Sequence, residues 1–185
     1  MRRPRPRITA LHLVSGVKYC PNCAKPVVWR VESGRERPAC PDCGFIHYED
    51  PKLVAIAVIP VAGRLVLGRR TMNPGIGLWA FPGGFVNRGE SVHGALVREV
   101  REETNLDVSA EYLLGLYSED NNPIVLAAYV ARRVGGKLGV GEEMSEVGLF
   151  EPTGLPELAF PHDRLLLGEW ARYEATLVNG SPAAR

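Results

Sequence analysis

Residues 84–106 read GFVNRGESVHGALVREVREETNL, and this segment is the most informative about the fold. Ser91 is a typical N-cap residue, and the apolar spacing after it predicts a helix from about Ser91 to Thr104. Asn105 tolerates the left-handed backbone conformation with which many helices end. We therefore expect one helix in this stretch, with Asn105 as the residue that ends it.

Two glutamates lie on the apolar face of this predicted helix. At about 100° per residue, Val92 and Leu96 define an apolar line along the helix. Glu99 and Glu103 continue that line, and Glu102 lies beside them. An ordinary amphipathic helix would place its charged residues on the opposite face. This helix therefore has one stripe that begins apolar and ends in a cluster of carboxylates.

The cluster lies at the end of the helix that carries partial negative charge. A carboxylate at an exposed site there is disfavoured by roughly 0.3–1 kcal/mol, and Glu99, Glu102 and Glu103 also repel one another. Arg98 can compensate part of this charge, whereas Arg101 points away from the cluster. A hard divalent cation, Mg²⁺ or Mn²⁺, prefers oxygen ligands and would compensate the rest. The alternative is a solvated acidic helix end held by ion pairs.

All four cysteines fall in one window, as Cys20-Pro-Asn-Cys23 and Cys40-Pro-Asp-Cys43. Two C-x2-C pairs supply the four soft ligands that tetrahedral zinc needs, so residues 18–48 predict a zinc ribbon. With four thiolate ligands and no further candidate nearby, the zinc is expected to be structural rather than catalytic. The alternative is a pair of disulfides, which would require an oxidising compartment.

The helix segment resembles the signature of the Nudix hydrolases, a loop–helix–loop that binds metal and diphosphate. The matching positions are Gly84, Glu90 and the run from Arg98 to Leu106, and Asn105 stands where the family has glycine. The ribbon is similar to the zinc-ribbon branch of that family, and the resemblance covers about residues 18–170. It implies an α/β fold, a Nudix-type α/β/α sandwich with a mixed sheet, preceded by a small N-terminal zinc ribbon.

The resemblance implies Mg²⁺- or Mn²⁺-dependent hydrolysis of the diphosphate bond in a nucleoside diphosphate linked to another group. The chain looks most similar to ADP-ribose and FAD pyrophosphatases, which release AMP, and shares their pattern around residues 141–150. One alternative is an NADH or NAD-cap pyrophosphatase, although the proline-rich segment of the NADH enzymes is missing from residues 115–130. The other is a non-catalytic Nudix module that binds a nucleotide or, less favoured, nucleic acid.

The resemblance and the helical wheel together assign roles to the acidic residues. Glu99 and Glu103 are the expected metal ligands, and Glu102 is a ligand or the general base. The Gly83 carbonyl is expected to complete the metal shell, because a residue without a side chain permits close approach. Glu143, outside the signature, is a second candidate base, and the sequence leaves the choice between Glu102 and Glu143 open.

Further residues complete the predicted site. Arg98 is expected to orient the carboxylates by pairing with Glu90, with a surface arginine and a simple helix-start charge as the alternatives. Substrate contacts are predicted at four side chains, for each of which surface exposure or core packing is the competing interpretation: Arg69, Arg70, Trp79 and Phe81.

The remaining segments predict strands mixed with a second helix, from about residue 162 to 175. A β-hairpin with its turn at Ala62-Gly63 is predicted to join the strands LVAIAVIP (53–60) and GRLVLGRR (63–70). Further strands are predicted at EYLLGLYS (111–118) and NPIVLAAYVARR (122–133), and a short last strand at VGLFEP (147–152).

Composition is that of an ordinary globular protein, with 185 residues, 45% hydrophobic and 23% charged, and a net charge of +1. This balance points neither to a nucleic-acid binder nor to an acidic-surface protein. No apolar run approaches the ~18 residues of a membrane span.

The domain prediction divides the chain into four parts. Residues 1–17, which begin MRRPRPR, predict a flexible basic tail, with a targeting peptide for an organelle or a phosphate-binding arm as alternatives. The zinc ribbon (18–48) and the Nudix domain (49–178) follow, and 179–185 predict a flexible C-terminal tail. We expect a cytoplasmic protein without a membrane segment, and the resemblance implies a homodimer.

Overall fold

The computed structural model describes residues 16–178. The chain divides into two units, with the boundary between Asp50 and Pro51. Within the described residues, no helix combines the length and the apolar character that crossing a membrane requires. The two predicted tails fall on residues that lie almost entirely outside the described part.

The first unit is built on one β-hairpin. Strand β1 (Val28–Glu32) pairs antiparallel with β2 (Arg35–Ala39) across the turn at Ser33-Gly34. Nearly all of β1 is exposed, and burial in this unit is concentrated at the end of β2 and at Cys20 and Cys40. The hairpin therefore has very little hydrophobic core of its own.

The second unit combines helices with mixed β-sheet structure. Its elements, in chain order, are β3 (Lys52–Val58), β4 (Pro60–Val61), β5 (Arg64–Arg70), β6 (Trp79–Ala80), β7 (Gly83–Phe85), α1 (Val92–Thr104), β8 (Leu106–Ser118), β9 (Ile124–Gly136), β10 (Met144–Phe150) and α2 (Pro161–Val178). One sheet has the strand order β7-β3-β9-β8, in which β3 and β9 run parallel and the other neighbours antiparallel. The second has the order β10-β5-β4, with β6 paired to β5.

The two helices pack against opposite faces of β3. Ala55 and Ala57 belong to the core cluster that includes α1, whereas Ile56 and Val58 belong to the cluster that includes α2. Side chains alternate along a strand, so an apolar residue at every position marks a strand that is covered on both faces. This arrangement confirms the predicted α/β/α sandwich with a mixed sheet.

One predicted strand pairing is wrong. The turn at Ala62-Gly63 does join two paired strands, but these are β4 and β5, while β3 belongs to the other sheet and pairs with β7 and β9. The chain passes from one sheet to the other at Ile59 and Pro60. Proline has no N–H for a central ladder, which accounts for the end of β3 before Pro60.

Helix α1 confirms its predicted ends. The Ser91 hydroxyl oxygen accepts a hydrogen bond from the Gly94 N–H at 3.0 Å, and this caps the first turn. Asn105 has φ +58° in the left-handed region, and its N–H donates to the Arg101 carbonyl at 3.0 Å. The second helix, α2, is slightly longer at both ends than the predicted one.

The start of α2 buries a carboxyl group. Asp163 Oδ2 accepts a hydrogen bond from the Phe160 N–H at 3.1 Å, whereas Oδ1 lies 3.8 Å from His162 Nε2, too far for a hydrogen bond. Burial raises the pKa of Asp163 to about 7, even though the Phe160 N–H and the charge of Arg70 act to lower it. The folded protein therefore holds a proton on Asp163 over a pH range in which an unfolded chain would not.

Replacing Asp163 by asparagine is expected to flatten the pH dependence of stability. The folded-state pKa of about 7 lies above the ordinary value of 3.8, so the free energy of unfolding of the wild type falls as pH rises from about 4 to 7. Asparagine keeps an oxygen for the Phe160 N–H but cannot ionise. Urea unfolding at several pH values within that range measures the difference, with Asp120→Asn, on an exposed turn, as the control. An equal pH dependence in wild type and D163N would refute this assignment.

Candidate active site and cysteine cluster

Helix α1 lies so close to β7 that its carboxylates meet the backbone of two glycines. The Gly83 N–H donates to Glu103 Oε2 at 2.9 Å. A Cβ at Gly84 would lie 2.4 Å from the carboxyl carbon of Glu99, so a larger residue would displace that side chain. The backbone of Gly83 and Gly84 therefore lies directly against the side chains of two predicted metal ligands, Glu103 and Glu99. The role predicted for the Gly83 carbonyl in metal binding stays a prediction.

Both of these carboxyl groups are held in surroundings that disfavour their charge. Burial raises the pKa of Glu103 to about 8, against the effect of the Gly83 N–H, and the charges of Glu99 and Glu143 raise it further. Burial also raises the pKa of Glu99, while Arg98 acts to lower it. A divalent cation beside them would favour the ionised forms, so the residues fit the predicted metal.

Arg98 donates hydrogen bonds to three of the glutamates in and beside α1. Its guanidinium makes a two-pronged contact with Glu90, with Nε to Oε1 at 2.9 Å and a terminal nitrogen to Oε2 at 3.0 Å. The other terminal nitrogen donates to Glu99 at 2.7 Å and to Glu102 at 3.0 Å. The hydrogen bond from Arg98 lowers the pKa of Glu90 to about 2, with help from the Asn87 N–H. The structure therefore brings Arg98 and Glu90 together in the pairing that the sequence predicts.

The two candidate bases have different surroundings. The Glu102 side chain is 55% exposed and forms an ion pair with Arg98. Glu143 is exposed in the loop before β10, and its charge raises the pKa of both Glu99 and Glu103. Glu143 therefore lies within electrostatic reach of the carboxylate cluster, although it is outside the helix.

Of the two arginines predicted to contact substrate, Arg70 is the one whose charge acts on the carboxylate cluster. Its charge lowers the pKa of Glu103, and its guanidinium carbon lies 5.0 Å from the centre of the Phe160 ring. The guanidinium of Arg69 is engaged by Glu146 at 2.7 Å. Arg69 is therefore paired with a carboxylate, whereas Arg70 donates through Nε to the Pro74 carbonyl at 2.7 Å.

The two aromatic candidates pack against other residues. Phe81 is 3% exposed and belongs to the core cluster beside α2, which supports the core-packing interpretation over a substrate contact. Trp79 is half-buried and packs edge-to-face on Phe150, with ring centres 4.7 Å apart. Sequence reasoning also missed two residues: Asp163, at the start of α2, and Thr71, directly after β5. Only Asp163 had a signal, because an acidic residue is favoured in the first turn of a helix.

The four cysteines form a single cluster. All four sulfur atoms lie within 4.8 Å of one another, and the Asn22 N–H donates to the Cys20 sulfur at 3.4 Å. All four are free thiols, so the disulfide alternative is not what the structure shows. Four converging sulfurs fit a tetrahedral zinc site. Among residues 16–178 this is the one group of three or more ligand atoms spaced so closely, and the carboxylates of α1 are spread more widely around Arg98.

Comparison with known families decides the relationship. Residues 51–168 match the family model described as NUDIX domain, and residues 18–49 match the model described as Nudix N-terminal. The chain belongs to the NUDIX family. The carboxylates of α1 therefore lie within a Nudix domain, and the cysteine cluster lies within the N-terminal Nudix module.

Two named relatives illustrate the range of Nudix hydrolases that this chain resembles. It is 36% identical over 123 residues to an ADP-ribose pyrophosphatase of Methanocaldococcus jannaschii, an alignment covering 64% of this chain and 73% of that protein. It is 26% identical over 151 residues to the NAD-capped RNA hydrolase NudC of Vibrio atlanticus, covering 80% of this chain and 54% of that protein. The chain thus spans about half the length of this second relative.

Solved structures agree with the family assignment. A NUDIX hydrolase from Nitrosomonas europaea, 29% identical, aligns with a TM-score of 0.78 over 91% of this chain and 97% of that one. An ADP-ribose pyrophosphatase from Streptococcus suis, also 29% identical, aligns with a TM-score of 0.57 over 66% and 92%. These matches confirm that the protein is a Nudix hydrolase with an N-terminal zinc-ribbon module.

Proposed function

We propose that this Nudix hydrolase cleaves the diphosphate bond of a nucleoside diphosphate linked to another group, with ADP-ribose or FAD as the favoured substrate. The observation that carries the proposal is the gathering of Glu99, Glu102 and Glu103 around Arg98 beside the Gly83-Gly84 backbone. The similarity to an ADP-ribose pyrophosphatase supports this choice of substrate. The products are AMP with ribose 5-phosphate from ADP-ribose, and AMP with FMN from FAD.

Glu99, Glu103 and Glu102 would hold Mg²⁺ or Mn²⁺ in this proposal, and the Gly83 carbonyl would add a ligand. Such ions neutralise phosphate oxygens and lower the pKa of a bound water. Arg98, fixed by Glu90, orients the ligand carboxylates, so that little rearrangement is needed when the substrate binds. Arg70, whose charge acts on the same cluster, is proposed to contact a phosphate.

We assign the general base to Glu143 rather than Glu102. Glu102 is engaged by Arg98 at 3.0 Å, whereas within residues 16–178 Glu143 has no ion-pair partner and its charge acts on Glu99 and Glu103 from the loop before β10. Glu143 accepts the proton of the attacking water as its oxygen bonds to phosphorus. The bond from that phosphorus to the bridging oxygen breaks, and the bridging oxygen leaves with the second phosphate.

A second candidate function is hydrolysis of NADH or of NAD-capped RNA ends. It is favoured by the match to NudC, which covers 80% of this chain. Residues 115–130 lack the proline-rich segment of the NADH enzymes. They form the end of β8, the turn and the start of β9.

Parallel assays of AMP release test the proposal. We expect wild-type protein with Mg²⁺ to release AMP from ADP-ribose or FAD faster than from NADH, and to release none when EDTA is present. A preference for NADH would replace the proposal by the second candidate. No AMP from any of the three would refute hydrolysis of this substrate class and favour a non-catalytic nucleotide-binding module.

The N-terminal ribbon and the oligomeric state are also part of this proposal. Four free thiols that converge on one point support a structural Zn²⁺ in the ribbon, residues 18–48, ahead of a Nudix domain over residues 49–178. Reduced thiols also suit the cytoplasm. The homodimer that the family resemblance implies is tested by sedimentation equilibrium, in which a monomeric mass at every concentration would refute it.

A further inference from the structure

A capping segment, residues 137–143, lies against the C-terminal end of α1. The Gly139 N–H donates to the Thr104 carbonyl at 3.0 Å, and the Gly141 N–H donates to the Glu103 carbonyl at 3.0 Å. Carbonyls in the last turn of a helix have no partner within the helix, so these two bonds satisfy groups that would otherwise be left to water. The segment that carries Glu143 is thereby joined to the helix that carries the proposed metal ligands.

Asn105 adds a side-chain contact to this segment. Its Nδ2 donates to the Val140 carbonyl at 3.4 Å, and it lies so near Gly139 that a Cβ there would be 3.1 Å away. At Gly141, a Cβ would lie 1.7 Å from the Glu102 carbonyl oxygen, so the backbone fits closely against the helix. Glycine at position 105 could make no such contact, so the bond depends on the residue in which this chain departs from the family signature.

A second attachment fixes the other side of Glu143. The Thr71 hydroxyl donates to the Glu143 carbonyl at 2.6 Å. Thr71 directly follows β5, and the neighbouring ladder pair is Arg70 with Met144. Met144 is 5% exposed and lies over Gly68, where a Cβ would be 2.7 Å from the methionine sulfur. Glu143 is thus followed in the chain by the buried Met144 and preceded by Gly139 and Gly141, which bond to the end of α1.

We infer that Thr71 and Asn105 are positioning residues, which fix the backbone of Glu143 from two elements so that its carboxylate stays beside Glu99 and Glu103. This inference rests on the proposed function, in which Glu143 accepts the proton from water. A general base must stay within hydrogen-bond reach of that water, and a displacement of about 1 Å can cost about 10²-fold in rate. Thr71 and Asn105 act through Glu143 and need not touch the substrate.

Replacing Thr71 by valine tests the first attachment, because valine keeps the shape and removes the hydroxyl. We expect kcat for ADP-ribose or FAD to fall by about 10- to 100-fold, with KM nearly unchanged and the melting temperature preserved. Thr71→Ser is expected to restore kcat, because serine keeps the donor. Thr153→Val, on the exposed turn after β10, is the matched control. In T71V, the backbone amides of residues 141–146 are expected to exchange faster with deuterium than in the wild type. The Asn105→Gly variant is expected to lower kcat as well, but by less than T71V does.

A double-mutant cycle decides whether Thr71 acts through Glu143. In an E143Q background, T71V is expected to cause no further fall in kcat. A T71V variant with wild-type kcat, an equal fall of kcat in both backgrounds, or unchanged exchange of the 141–146 amides would overturn the inference. Absence of AMP release by the wild type would instead refute the proposed function, so the two failures are distinguishable.

Discussion

Replacing Glu99 by glutamine is expected to lower kcat/KM for diphosphate hydrolysis by at least about 10²- to 10³-fold, the range for loss of one preorganised electrostatic contact. Glutamine keeps the size of the side chain against Gly84 and can still accept a hydrogen bond from Arg98. It removes the negative charge that the cation requires. The expected loss is therefore one of metal binding and transition-state stabilisation, not of folding.

Steady-state kinetics of E99Q measure this loss, and Mn²⁺ binding followed by electron paramagnetic resonance gives a second readout. Glu111→Gln is a suitable control, because Glu111 lies on β8 and pairs with Arg132. It should keep wild-type rates and Mn²⁺ affinity. An E99Q variant that hydrolyses ADP-ribose and FAD and binds Mn²⁺ as the wild type does would remove Glu99 from the proposed metal site.

Replacing Cys40 by serine is expected to abolish zinc binding and to unfold the ribbon while the Nudix domain stays folded. Cys40 is fully buried, but the first unit has very little other core, because most of β1 is exposed. A hairpin with so little buried apolar surface is not expected to be stable alone. Structural zinc contributes about 10–16 kcal/mol of binding free energy in small zinc modules at pH 7.

Zinc content by mass spectrometry and hydrogen exchange of residues 18–48 measure this effect. Asp42→Asn, an exposed change within the second cysteine turn, is the control and should keep both zinc and protection. We expect EDTA or a stronger chelator to reproduce the loss in the wild type. A C40S protein whose ribbon amides stay as protected as those of the wild type would show that zinc does not hold this module together.

The local features of the fold were predictable from the sequence. Both ends of α1 follow from Ser91 and Asn105, and the helical wheel placed Glu99 and Glu103 on one face, because each of these features depends on neighbours within one helix. Pairing between strands depends on distant segments. That is why the sequence correctly indicated the turn at Ala62-Gly63 but assigned it the wrong first strand, β3 in place of β4.

The same distinction applies to the candidate site. The contact between Arg98 and Glu90 joins neighbours in the signature, so a match to the signature indicates it. The contact of Thr71 with the Glu143 carbonyl spans 72 residues and arises only when β5 and β10 pair. Likewise, the burial of Phe81 depends on the position of α2, which the local sequence does not reveal.

The rate of AMP release from ADP-ribose and FAD, measured while Mg²⁺ is added to metal-free protein, shows whether the carboxylates of α1 support metal-dependent hydrolysis. We predict no AMP in EDTA, a rate that rises and saturates with Mg²⁺ in the wild type, and a strongly reduced rate at every Mg²⁺ concentration in E99Q. Hydrolysis at full rate in EDTA, or its absence from wild-type protein at every Mg²⁺ concentration, would contradict the account.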